Sequence, residues 1–256
     1  MVLEQDDWQE LSDDEMQVYS RQILLEGWDL EAQEKLKLAN VLIIGCGGIG
    51  CTTAELLARA GVGKISLIDA DSIEISNLQR QIAYTPANVG FYKAEILAQR
   101  LRQINPYIQV ESHTVHLDVN NADLLIAQQD LVLDGCDNFS TRYLVNEICV
   151  KHHVSLISAS AIGFEGQMLM VEGLFPKEQH VNESLRCADT GVLATTPNVM
   201  ASLQAHHALI YLGLGRTALK QKLLLWNGLS MQQRILSFEK DVNCTLCQAS
   251  HTAKVN

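Results

Sequence analysis

Apolar residues along this chain fall into two rhythms, short unbroken runs and longer stretches with apolar positions three and four apart. Ser12-Asp13-Asp14-Glu15 has the form of a capping box, and Met16, Tyr19, Ile23 and Leu24 follow at helical spacing. That predicts an amphipathic helix from about 13 to 24. Leu38 to Ile44 is a short apolar run ending in glycines, followed by an Ala/Leu-rich stretch from Thr52 to Ala60 and a second run, Lys64 to Ile68. The order reads strand, glycine turn, helix, strand. Further strands are expected at Gln109 to His113, Leu131 to Asp134 and Val154 to Ser158, with helices at Lys93 to Ile104 and Phe139 to Lys151. Such alternation predicts an α/β fold with a doubly wound, mostly parallel, Rossmann-like sheet.

Beyond Ala161 the rhythm changes. Gly166 to Glu172 reads as a strand, and Leu174 to Thr196 is polar and aperiodic, the pattern of a mobile loop. A helix from about Pro197 to Leu212 follows, with its proline in the first turn. Leu223 to Trp226 and Gln232 to Phe238, joined across Asn227-Gly228, predict an added C-terminal strand hairpin. No internal repeat or low-complexity segment interrupts the pattern. The expectation is one domain over 1–256, with a nucleotide-binding half at about 11–161 and a second half at 162–248.

Composition narrows the function. With 256 residues and 47% hydrophobic content the chain can bury one large core. A formal charge of −11 argues against a protein that tracks a nucleic-acid backbone, which needs a basic stripe. The first thirty residues lack the basic start and apolar run of an export signal, and no segment approaches the roughly 18 consecutive apolar residues of a membrane span. Seven cysteines, an odd number, fit reduced thiols in the cytoplasm.

The candidate chemistry begins at Gly45-Cys46-Gly47-Gly48-Ile49-Gly50. Glycines at 45, 47 and 50 between a strand and a helix let the backbone approach a phosphate closely and aim amide N–H groups at it. Asp69 ends the second strand nineteen residues after Gly50, where a carboxylate can accept hydrogen bonds from ribose hydroxyls. These features favour an adenine nucleotide and leave NAD and ATP both open. A turn made only for tight packing, and a strand-end aspartate, are the competing structural roles. The segment Asp69 to Gln81, which includes Asp71 and Asn77, is polar and longer than closure of a βα unit requires. Arg80 and, thirteen residues later, Lys93 add two cations that could stabilise a triphosphate and its leaving group. Asp134-Gly135-Cys136-Asp137-Asn138 closes another strand at the same edge, and a carboxylate there can hold Mg²⁺ between phosphate oxygens. An NAD-dependent oxidoreductase would leave Arg80, Lys93 and Asp137 without a task.

Tyr19-Ser20-Arg21-Gln22-Ile23, the glycine turn, Ser76-Asn77-Leu78-Gln79-Arg80-Gln81, Lys93, Asp134-x-x-Asp137-Asn138, Gly163 to Gln167 and Cys244-Thr245-Leu246-Cys247 occur in this order. In that string the chain resembles the HesA/MoeB/ThiF family of ubiquitin-activating-like adenylyltransferases, over about Leu11 to Gln248. The resemblance implies ATP-dependent adenylation of the C-terminal carboxylate of a small ubiquitin-like sulfur-carrier protein, MoaD-like or ThiS-like, in molybdenum-cofactor or thiamine biosynthesis. It implies that Asp69 touches the ribose, that Asn77, Arg80 and Lys93 engage phosphates, that Asp137 positions Mg²⁺, and that Arg21 reaches the neighbouring subunit's nucleotide in a homodimer. An enzyme of the same superfamily that activates a non-protein carboxylate, and a scaffold that binds a carrier without ATP, are the alternatives within it.

The cysteines depart from the family pattern. Cys244-x-x-Cys247 is half of a zinc site, since tetrahedral zinc takes four ligands. The region from which the family supplies the second pair, here Leu174 to Arg186, contains no cysteine; His180 is its one alternative ligand. Cys187, beside Arg186, matches the position where thiamine-pathway members carry a cysteine that links covalently to the carrier, and an adjacent guanidinium would lower its pKa. Cys46, Cys51, Cys136 and Cys149 are expected as small buried hydrophobes.

Overall fold

The capping box forms as the sequence reads: Ser12 N donates to Glu15 Oε2 at 2.9 Å, and Glu15 N donates to Ser12 Oγ at 3.3 Å. It starts α1, Asp13–Ile23. In the computed structural model the described residues are 10–136, 138–171 and 191–238. A second helix, α2 at Asp29–Leu38, was not expected, because its buried face carries Gln33 and Glu34 among Ala32 and Leu36 and so shows no apolar period. Gln33 Nε2 donates to Ala60 O at 2.8 Å and its Oε1 accepts from Gln22 Nε2 at 2.8 Å, which satisfies the buried amide.

The remaining elements, in chain order, are β1 (Asn40–Ile44), α3 (Gly50–Ala60), β2 (Lys64–Ile68), α4 (Lys93–Ile104), β3 (Gln109–His113), α5 (Ala122–Ile126), β4 (Leu131–Asp134), α6 (Phe139–His152), β5 (Ser155–Ile162), β6 (Glu165–Val171), α7 (Thr195–Leu214), β7 (Lys222–Asn227) and β8 (Gln232–Ser237). Most lie within two residues of the expected ranges. The strand expected at Val154 to Ser158 runs on to Ile162, and α5, too short to show a period, went unforeseen. The hairpin β7–β8 is present, but Gly228 to Met231 form a longer connection than a tight Asn-Gly turn. Asn227 Oδ1 accepts from Leu229 N at 3.1 Å and Ser230 N at 2.9 Å, an Asx-type turn.

One sheet of eight strands runs β3-β2-β1-β4-β5-β6-β7-β8. The first five are parallel, and β6, β7 and β8 add antiparallel. Both faces of the parallel part are covered, so its strands are apolar at successive positions. Val41 and Ile43 join the cluster under α2, α3, α4 and α7, and Leu42 and Ile44 join the one under α5 and α6.

The register sets the site. Ile44 lies level with Ile68 and Asp134, and Asp134 with Ser158. The residues that follow β1, β2 and β4, namely Gly45, Asp69 and Gly135, therefore leave the sheet along one edge, while β5 runs on past Ala159. Strand order reverses between β1 and β4, which opens a crevice at that edge.

Residues 172–190, most of the aperiodic segment, lie outside the described residues. Gly191 and Leu193 are tied to the end of β5: Gly163 N donates to Gly191 O and Leu193 N to Gly163 O, both at 3.0 Å, and α7 begins at Thr195. The part of the expected mobile loop from Gly191 to Thr196 is therefore held in place, and the part from Leu174 to Thr190 lies outside the described residues.

Candidate nucleotide-binding site

At the reversal point a cleft of about 630 Å³ opens between the turns after β1 and β4. Its walls include Gly45, Gly47, Gly48, Asp69, Asp71, Asn77, Arg80, Lys93 and Asn138. The volume suits a nucleotide.

The glycine turn is required by sterics at two positions. Gly45 has φ +86°, and a Cβ on it would stand 3.3 Å from Cys136 N. A Cβ on Gly50 would fall 1.8 Å from Gly45 O, so any side chain there breaks the turn, although Gly50 itself does not line the cleft. Pro197 of α7 lies over Gly48, at 3.1 Å from the position of a Cβ. The second half of the chain thus closes one side of the first half's glycine turn.

Asp69 is fixed by two backbone donors: Cys46 N at 2.7 Å on one carboxylate oxygen and Asp71 N at 2.8 Å on the other. Burial raises its pKa, against the lowering effect of the Lys93 ammonium and of these two N–H groups. Lys93 opens α4, with its side chain only 9% exposed, and its Nζ pairs with Asp71 Oδ2 at 2.8 Å. Burying an ammonium is unfavourable without a partner. Asp71 supplies that partner from the cleft rim, where its own side chain is 64% exposed.

In the polar segment after β2 a short 3-10 turn, Ile75–Asn77, holds Asn77, and Arg80 follows three residues later. Asn77 is buried and its Oδ1 accepts from Glu74 N at 3.2 Å. Arg80 Nη1 donates to Ser76 O at 3.0 Å, with Cγ 3.6 Å from where a Gly48 Cβ would stand. Asn138 is the N-cap of α6, and its Oδ1 accepts from Thr141 N at 2.8 Å.

Residues to which the sequence assigned no role of their own hold this geometry. Asp134 is fully buried and ion-paired with Arg142 Nε at 2.8 Å; it also accepts from Ser158 Oγ at 2.7 Å and from Cys136 N at 2.9 Å. Arg142 Nη2 donates to Cys136 O at 2.8 Å, so the turn after β4 is tied from both sides. Tyr84 OH lies 2.8 Å from Cys46 O and 3.3 Å from Lys93 O, joining the glycine turn to the start of α4. Gln204 of α7 donates to Asp134 O at 3.0 Å and Ile157 O at 2.9 Å, and accepts from Thr53 Oγ1 at 3.0 Å. A polar residue in an apolar helix was the available signal for Gln204; for Tyr84 there was none.

Arg21 is exposed on α1 and does not line the cleft. Asp137, Cys187, Cys244 and Cys247 fall outside the described residues. Cys46, Cys51 and Cys149 are buried and Cys136 nearly so, as expected of small hydrophobes. Burial pushes all four thiols up, Cys149 to about 12, which leaves none of them a ready nucleophile. Among the described residues no cluster of three or more His, Cys, Asp or Glu could hold a metal ion, and no helix is long and apolar enough to cross a membrane.

Comparison with known proteins agrees with this architecture. The chain is 38% identical over 251 residues to molybdopterin-synthase adenylyltransferase of Escherichia coli, covering 93% of this chain and 98% of that protein. It is 36% identical over 248 residues to sulfur carrier protein adenylyltransferase of Thermus thermophilus, covering 91% of each. It is 37% identical over 251 residues to adenylyltransferase and sulfurtransferase MOCS3 of Anopheles gambiae, where it covers 94% of this chain but spans only 57% of the relative's length. Among solved structures, E. coli MccB with MccA superposes with a TM-score of 0.77 at 25% identity, covering 90% of this chain and 74% of that one. The ThiF family model matches residues 19–246, and the chain belongs to the ThiF family.

Proposed function

We propose that this chain uses ATP to adenylate the C-terminal carboxylate of a small ubiquitin-like sulfur-carrier protein. The observation that carries the reading is the convergence of Asp69, Asn77, Arg80 and Lys93 on one cleft beside the glycine turn. The names of the bacterial relatives support it, and the molybdopterin-synthase name favours the molybdenum-cofactor branch over the thiamine branch.

In this reading Asp69 accepts from the ribose hydroxyls, and the turn at Gly47 and Gly48 faces the phosphates at the start of α3. The carrier's carboxylate enters ionised, so no proton need move. One of its oxygens bonds to the α-phosphorus, the bond from that phosphorus to the bridging oxygen breaks, and pyrophosphate leaves with the electron pair. Arg80 and Lys93 offset the charge that collects on the transferring and leaving groups, so catalysis is positioning plus electrostatics. Lys93 is held ready by Asp71 and exchanges that partner for phosphate oxygens. Mg²⁺ fits the donor set, because phosphate oxygens and one or two carboxylates suffice for it; Asp137 directly follows the cleft residue Cys136, and the exposed Asp71 lines the same cleft. When bound there, Mg²⁺ would neutralise phosphate charge.

Arg21, exposed on α1, fits a role in a neighbouring subunit's site in a homodimer, and the composition fits the cytoplasm. A zinc site at Cys244 and Cys247, and a covalent carrier link at Cys187, are extensions of the same reading. The test is carrier-dependent exchange of labelled pyrophosphate into ATP, with molybdopterin-pathway and thiamine-pathway carriers in turn. Asp137→Ala should abolish it; undiminished exchange would sink the metal role of that residue. Calorimetry should show binding of ATP–Mg and none of NADH.

A further inference from the structure

Gln81 stands apart from the other residues of the cleft. Its side chain lines the cavity and the residue is only 3% exposed, yet Oε1 is sealed from solvent with no hydrogen-bond partner among the described residues. Nε2 is likewise unbonded to any described residue. It lies 3.7 Å from the point where a Cβ on Gly47 would stand, at the mouth of the phosphate turn. The backbone is held firmly: Gln81 N donates to Asn77 O at 3.0 Å, and Gln81 O accepts from Tyr84 N at 3.2 Å. A sealed amide oxygen without a partner weakens a fold, and an apolar residue of the same length would avoid that cost. A position kept polar at that expense points to a partner that the chain itself does not provide.

The amide atom nearest Gly47 is the donor Nε2, so a partner met there must accept a hydrogen bond. Asp69, which marks the ribose, is bonded to Cys46 N, and Gly47 is the next residue along the turn. The group that follows the ribose in ATP is the α-phosphate. We infer that Gln81 is a further nucleotide-binding residue, donating from Nε2 to a non-bridging oxygen of the α-phosphate, the atom group at which the reaction occurs. The inference rests on the ATP reading above and adds a contact that none of Asp69, Asn77, Arg80 and Lys93 makes.

The test uses the full chain and calorimetric binding of ATP–Mg and of the two diastereomers of adenosine 5′-(1-thiotriphosphate). Gln81→Met keeps length and packing and removes the donor. Its thermal midpoint without nucleotide should equal or exceed that of the parent, while its Kd for ATP–Mg rises about tenfold or more, the scale of one hydrogen bond to a charged group. In the parent, one diastereomer should bind more weakly than ATP, because sulfur accepts hydrogen bonds poorly. In Gln81→Met that penalty should disappear. An unchanged Kd in a folded Gln81→Met, or a sulfur penalty that persists in it, overturns the contact. Failure of the parent chain to bind ATP–Mg overturns instead the reading on which it rests. If Gln81→Met does not fold, Gln81→Glu provides the same comparison, since it keeps the shape and sets a carboxylate against the phosphate; undiminished ATP–Mg binding by that variant also overturns the contact.

Discussion

At the scale of single residues, the cleft is built from groups whose states depend on one another. Asp69 illustrates this: burial raises its pKa while Lys93 and two N–H groups pull it back. A raised carboxylate pKa means that the protonated form favours the folded, nucleotide-free chain. That contribution is fully present below the unfolded value and is lost as pH rises through the folded value. Ribose binding needs the ionised form, so the two trends oppose. ATP affinity should fall on acidification at a higher pH than an ordinary aspartate would set, and Asp69→Asn should bind ATP weakly with a flattened pH profile; calorimetric titration across the acidic range checks both. Gly50→Ala should abolish nucleotide binding and lower the thermal midpoint, because its Cβ would stand 1.8 Å from a backbone oxygen that cannot move without opening the turn. Lys93→Ala should depress pyrophosphate exchange by about 10²-fold or more, in line with loss of one preorganised charge at a transition state.

At the scale of elements, legibility followed from how each helix or strand is buried. The strands β2, β3 and β4 and helix α4 stand at the ranges the sequence predicts, because each is a clear apolar run or a clear 3.6 period between turn residues. Helix α2 was illegible because its inner face is partly polar, and the buried Gln33 amide is satisfied by Ala60 O, a carbonyl 27 residues further on, and by Gln22 Nε2. Helix α1 was legible from its cap. Glu15 is buried, which raises its pKa, but hydrogen bonds from Lys37 and Ser12 outweigh burial and the net shift is downward. A lowered carboxylate pKa contributes stability above the unfolded value that is lost as pH falls through the folded value. Glu15→Gln should therefore be less stable than the parent at neutral pH, by about 1 kcal/mol as for a lost cap. The two should converge in acid, where the parent's Glu15 is protonated; denaturant melts at a series of pH values check this.

At the scale of the whole molecule, the site belongs to neither half of the chain alone. Gln204 and Pro197 of α7 reach the turns after β4 and β1, and Asp134 is held by Arg142 from α6 and Ser158 from β5. Asp134→Ala should destabilise the chain by about 1–3 kcal/mol, because the buried Ser158 Oγ and Cys136 N lose their acceptor, and should weaken ATP binding as the turn at Cys136 loosens. The proposed homodimer has its own test. If Arg21 serves the partner's site, mixing inactive Arg21→Ala and Lys93→Ala chains should restore activity at roughly a quarter of the sites, because only mixed dimers contain one intact site. If Arg21 acts within its own chain, mixing restores none.

The sequence alone determined the alternation of strands and helices, the place of the glycine turn, and Asn77, Arg80 and Lys93 as the polar groups that share its cleft. All of these depend on local spacing and on the sterics of glycine. Only the tertiary structure decided that Lys93 is nearly buried against Asp71, that Asp134 is an ion-paired anchor, that Tyr84 and Gln204 brace the turns, and that the Gln81 amide oxygen is sealed in the cleft wall with no partner among the described residues. Each of these depends on which strand ends stand level at the sheet's edge, and that register is set by pairing between segments distant in the chain.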